Sequence, residues 1–189
     1  MNLLLSWNLF IIAIFIVIIA YSYIIGINKT VKTIIASYLA ILAADGLGNI
    51  FRDYFLISPN FQEAMKLINL NSPDETLISI KVIIFVSAVV ILTVKGAYEV
   101  KLHGRHLAAS QFITTAIFGF LNAGLIISTL LVYVSGSSLI QKINIPSNIV
   151  ELYTTSTFVK GMVDYYDFWF SIPVVVIIGW SVFFDHRED

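Results

Sequence analysis

The stretch VKTIIASYLAILAADGLGNIFR, residues 31–52, decides how this chain is read. About twenty mostly apolar residues are what a helix needs to cross a bilayer core, and this run supplies them. Ala36, Ala40, Ala44 and Gly48 recur at intervals of four, which places them on one helix face where a neighbouring backbone can approach closely. Beside that face stands one acid, Asp45. A carboxylate inside a membrane helix is costly, faces protein or water, and is a functional candidate by default.

Working outward, further apolar runs flank this one on both sides. The expected spans are 7–27, 33–51, 77–98 and 112–134, with a marginal fifth at 168–184. Trp7 at one end of the first run and Tyr21 and Tyr23 near the other fit interfacial aromatics. Gly26 to Lys32 reads as a tight polar turn. Ser72-Pro73-Asp74-Glu75 reads as a helix entry, with Ser72 as the cap, Pro73 at the first helical position and acids in the first turn. Phe61 to Ile68 reads as a short amphipathic helix. The last run is short and carries Pro173, so it either spans the membrane or re-enters it. The fold expected is a single all-α integral membrane domain of four core transmembrane helices plus that fifth segment.

Charged residues are 12% of the 189, against about a quarter in soluble domains, so this is not a soluble core. The net charge of -1 offers no footprint for nucleic acid. The chain has no cysteine, which excludes disulfides and thiolate chemistry. No Lys or Arg precedes Lys29 and the first core is long, so the first run reads as a retained helix rather than a cleaved signal. Lys29, Lys32, Lys95, Lys101 and Arg105 lie in the 26–32 and 95–106 loops. The positive-inside rule therefore places both loops in the cytoplasm and the N-terminus outside.

Asp45 has three possible answers in the sequence. Asn49 and Arg52 share its side of the helix at spacings of four and seven. Lys81 lies about as deep in the third span as Asp45 does in the second, so antiparallel neighbours would bring the two to one level. The readings are a structural ion pair, a lined ion or proton path, or an interfacial acid. Thr115, Gly119 and Ala123 form a second small-residue face, which packs within the chain or between copies. Asn122, near the middle of the fourth span, needs a partner in lipid. His103 and His106 read as solvated or meeting anionic headgroups rather than holding a metal. The aromatic run around Asp164 and Asp167 reads as an interfacial belt. No catalytic, cofactor or metal site is expected: none of the motifs for intramembrane hydrolysis or phosphate binding is present.

Several segments together resemble the colicin V production protein family of small bacterial inner-membrane proteins. They are Gly26-Ile-Asn-Lys29-Thr after the first span, Ile34-Ile-Ala-Ser37-Tyr38-Leu opening the second, Phe118-Gly-Phe-Leu-Asn122-Ala-Gly124-Leu-Ile in the fourth, and Thr155-Ser-Thr-Phe-Val159 beyond it. The resemblance covers most of residues 7–165. It implies a bacterial inner-membrane protein linked to envelope function or secretion, with no catalytic residues to carry over. The function expected is a non-enzymatic accessory or scaffold supporting envelope homeostasis or export, with membrane lipids and a membrane-protein partner or a second copy as its contacts. The alternative is a small transporter or channel subunit, with a polar path around Asp45, Asn49, Ser37, Thr115 and Asn122.

Overall fold

The computed structural model describes residues 7–56, 58, 61, 63, 73–100, 108–135 and 156–184. The helices are α1 (Trp7–Ile25), α2 (Ile27–Phe51), α3 (Pro73–Lys95), α4 (Ala108–Val134), α5 (Thr157–Asp164) and α6 (Tyr166–Phe184), with a π-helical turn, Arg52–Leu56, continuing α2. No strand occurs among the described residues. Four helices are long and apolar enough to cross a membrane, and α5 with α6 forms a bent fifth candidate. The protein is an all-α, multi-pass membrane protein.

The expected polar turn at 26–32 is a single residue. Gly26 adopts φ 79, a left-handed conformation that glycine reaches without penalty, and α2 starts at once on Ile27. Asn28, Lys29 and Thr30 look like turn residues in sequence but are helical. The Thr30 hydroxyl donates to the carbonyls of Gly26 at 2.9 Å and Ser22 at 3.3 Å, a second bond to acceptors that also take the backbone N–H groups of Thr30 and Gly26, so Thr30 ties the start of α2 to the end of α1.

α3 opens on Pro73, as the helix-entry motif predicts, and ends at Lys95, three residues before the expected boundary. Gly96 sets that end: a Cβ there would lie 2.2 Å from the Leu92 carbonyl oxygen. Ser72, most of the expected amphipathic helix at 61–68, the histidines at 103 and 106, and residues 139–155 lie outside the described residues. Pro173 does not interrupt the last helix, which runs unbroken from Tyr166 to Phe184. The bend of 62° falls instead between α5 and α6, at Tyr165.

The bundle is centred on α4 rather than on α2. α4 packs against every other α-helix described, and 72% of its span is buried, against 44% for α2 and 11% for α3. It has two working faces. Phe118, Leu125 and Tyr133 join Val31, Ile34, Ile41 and Phe85 in a core between α2, α3 and α4, while Ala123, Ile127 and Leu131 join Ile11, Phe15 and Met162 in a second core under α5. The small residues mark close approaches. Ala36, Ala40, Ala44 and Gly48 are all buried, and a Cβ on Gly119 would touch Ser22 at 3.0 Å, which is where α1 crosses α4. In lipid, such packing replaces the hydrophobic drive that holds soluble cores together.

α5 lies across one end of the bundle. Ser156 caps it by accepting from the Val159 N–H at 3.1 Å, and the same hydroxyl donates to the Asn8 side-chain oxygen. The Ser128 hydroxyl donates to the Met162 carbonyl at 2.9 Å. These bonds tie α5 to both α1 and α4.

Candidate functional site

α2 and α3 run antiparallel and form the most extensive helix pair among the described residues. Near the Phe51 end of α2, the Lys81 ammonium donates to Asp45 Oδ1 at 3.0 Å. Both residues are buried, Asp45 to 2% and Lys81 to 7% exposure. Asp45 lies six residues before Phe51, roughly 9 Å of helix rise, so the pair sits below the end of the span and is shielded on all sides by protein.

Gly48 makes this geometry possible. A Cβ at position 48 would lie 2.7 Å from Lys81 Cγ and 2.8 Å from Cε. The lysine stem therefore runs along the slot that glycine leaves and delivers its charge to the carboxylate one turn back. Read from sequence, Gly48 is one more small residue of a packing face. In the structure it is the channel for the cation.

Tyr133 completes the site and went unnoticed in the sequence. Its hydroxyl donates to the Ile41 carbonyl, one turn before Asp45, at 3.2 Å. Its ring lies 6.0 Å from the Lys81 ammonium, and Phe85 stands edge-on to it at 5.9 Å. The signal available was position: Tyr133 is eleven residues beyond Asn122, three helical turns along the same stripe of α4. A positive charge near an aromatic face is stabilised by the ring quadrupole. Asp45 Oδ2 has no hydrogen-bond partner among the described residues, so the carboxylate is held by one oxygen only.

The other candidates do not join this site. Arg52 is exposed and pairs with Asp53 at 2.9 Å. It stands where the π-helical turn begins, at the wet end of the span, where a guanidinium needs no buried partner. Asn49 is half-buried and makes no hydrogen bond to the carboxylate, whose Oδ1 takes Lys81 and whose Oδ2 has no partner among the described residues. Asn122 is 1% exposed, and its side-chain oxygen has no partner among the described residues. It stands eleven residues below Tyr133, roughly 16 Å along the helix, so it belongs to a different level of the bundle. Ser37 and Thr129 lie between those levels, and both hydroxyls donate to their own helices, at 2.9 Å to Thr33 and 2.7 Å to Leu125. Thr115 is buried on the face toward α1 with Gly119 and Ala123. The polar residues named for a path are thus divided between separate places.

What the site does chemically is hold α2 to α3. An ion pair in low dielectric repays its desolvation only with good geometry, and here one lysine N–H bond and one aromatic face supply it. Among the described residues no group of three or more His, Cys, Asp or Glu gathers to hold a metal. No family model matches the chain, and neither a curated protein nor a solved structure matches it.

Proposed function

We propose that this chain is a non-enzymatic accessory or scaffold protein of the bacterial inner membrane, similar to the colicin V production proteins, which supports envelope homeostasis or export by packing against a membrane partner or a second copy. The observation that carries the reading is the closed Asp45–Lys81 pair. The two ionisable groups buried between α2 and α3 are spent on each other, the hydroxyls of Thr33, Ser37 and Thr129 are spent on their own helices, and that of Thr30 on the junction with α1. Such an interior is suited to holding a shape. In this orientation the Gly26 turn and the end of α3, with Lys29, Lys32 and Lys95, face the cytoplasm, and α5 faces outward.

Affinity purification in mild detergent, followed by native mass measurement, tests the reading. A stoichiometric membrane partner or a discrete homo-oligomer is the expected result. A lone monomer that carries solute flux in proteoliposomes, with the flux abolished by Asp45→Asn, would sink it. Labelling of a single cysteine placed at Lys29 checks the orientation in the same preparation, since the chain has no native thiol.

A further inference from the structure

The bend at Tyr165 leaves a gap in the bundle that no side chain fills. An apolar cleft of about 480 Å³ opens there, walled by Phe158, Gly161, Met162, Tyr165, Phe168 and Trp169. Gly161 stands in its wall with nothing within 4 Å of the place a Cβ would occupy. A second cleft, of about 150 Å³, shares Phe158, Met162 and Trp169 with the first and continues along α1 past Ile12 and Ile16. Those two residues are 39% and 59% exposed on the lipid-facing side of a membrane-spanning helix. The groove is therefore continuous with the surface that the bilayer already covers.

We propose that this groove is a binding site for one acyl chain of a membrane phospholipid, held between the α5–α6 elbow and α1. Three observations point to that occupant. The lining presents almost no polar atoms, so nothing in it would hold a headgroup or a hydrated solute. Its volume is too small for a helix, whose diameter with side chains is about 10–12 Å. It does suit a thin chain: taking each methylene as near the roughly 30 Å³ of a water molecule, the larger cleft, of about 480 Å³, holds on the order of sixteen carbons. Finally, the walls are adaptable. Met162 is unbranched and polarisable, and Trp169 is seated on Gly124, where a Cβ would lie 2.0 Å from the indole, so the ring is fixed as the floor. The chain enters from the outward side that α5 covers and runs toward Phe15. This inference stands apart from the scaffold reading, since a lipid seat is compatible with either outcome of the purification.

Trp169 reports directly on the groove. A variant carrying Trp7→Phe and Trp180→Phe leaves it as the lone indole, and a phospholipid with a brominated acyl chain quenches indole fluorescence on contact. In detergent micelles, titration with that lipid is expected to quench Trp169 with saturation near one lipid per chain. Gly161→Leu, whose Cβ meets no neighbour within 4 Å and whose branched end takes up space in the cleft, is expected to weaken that saturation at least fivefold. Thr157→Leu at the exposed rim is expected to weaken it about twofold. Quenching that rises linearly with lipid, or that ignores Gly161→Leu in protein of unchanged melting temperature, overturns the proposal. So does a Gly161→Leu variant that loses self-association while its quenching is unchanged, because the groove would then seat a second copy.

Discussion

α2 and α3 are fastened at both ends, and the two fastenings share a chemistry but not an environment. At the Phe51 end, Lys81 reaches Asp45 inside protein. At the other end, Lys32 donates to the Gly96 carbonyl at 2.9 Å and lies 5.2 Å from the Tyr98 ring, while the Tyr98 hydroxyl donates to the Lys32 carbonyl at 3.3 Å. Both use a lysine and a tyrosine. The buried one needs a full counter-charge, because an ammonium alone in low dielectric is prohibitive. The half-buried one makes do with a carbonyl and an aromatic face, because water still reaches the cation. Partial burial pushes the Tyr98 phenol up from its ordinary range, so it stays a neutral donor at physiological pH. Two clamps built from the same parts thus differ in what happens when one part is removed.

The largest effect is expected at the buried clamp. Lys81→Met leaves Asp45 charged and unanswered, and breaking a buried pair costs about 3–5 kcal/mol. Asp45→Asn, which leaves Lys81 as the orphan, is expected in the same range. The double change removes both charges and is expected to recover at least half of either loss in a denaturation series of the purified protein. Strict additivity in that cycle would show that the 3.0 Å contact carries no coupling.

Gly48→Ala sharpens the comparison by leaving both charges in place. The new methyl collides with Lys81 Cγ and Cε, and the stem must swing away or the helices must part. Overpacking of this kind costs about 1–3 kcal/mol. The same substitution at Gly46, where no neighbour lies within 4 Å, is the control and is expected to be neutral or mildly stabilising. Equal effects at the two glycines would remove Gly48 from the clamp.

The smallest effect is expected at the wet end. Lys32→Met removes one hydrogen bond and one exposed cation–π contact, each on the order of 0.5–1 kcal/mol, and leaves no buried charge behind. Its loss is expected to be less than half that of Lys81→Met and to shrink in high salt. If the two lysines prove equally costly, burial is not what separates the clamps.

Much of this arrangement was legible beforehand. Length and hydropathy locate the spans, and equal depth in antiparallel helices is enough to nominate Lys81 as the neighbour of Asp45. The rest was harder to read, in each case for a physical reason. Asn28-Lys29-Thr30 has the composition of a loop, yet the positive φ of Gly26 lets one glycine make the whole turn, and the three residues start α2. Arg52 has the right spacing from Asp45, but spacing along one helix does not say whether a side chain faces protein or water. The centrality of α4 was written in its polar residues: Thr114, Thr115, Asn122, Ser128 and Thr129 point to more than one side, which lipid forbids unless protein surrounds the helix. Tyr133 was hidden because a tyrosine near a span end resembles an interfacial anchor until a neighbouring backbone is seen beneath it.

The Asp45–Lys81 contact joins residues 36 positions apart, and that separation has a consequence in time. A ribosome adds roughly 5–20 residues per second, so the acid emerges seconds before the base that neutralises it. During that interval an unpaired charge six residues inside the end of a newly made span disfavours entry into lipid, by less than the roughly 2.5–3.5 kcal/mol of a charge at a helix centre. The second span therefore gains its full reason to leave the insertion machinery only when the third arrives, which favours entry of the two as one hairpin.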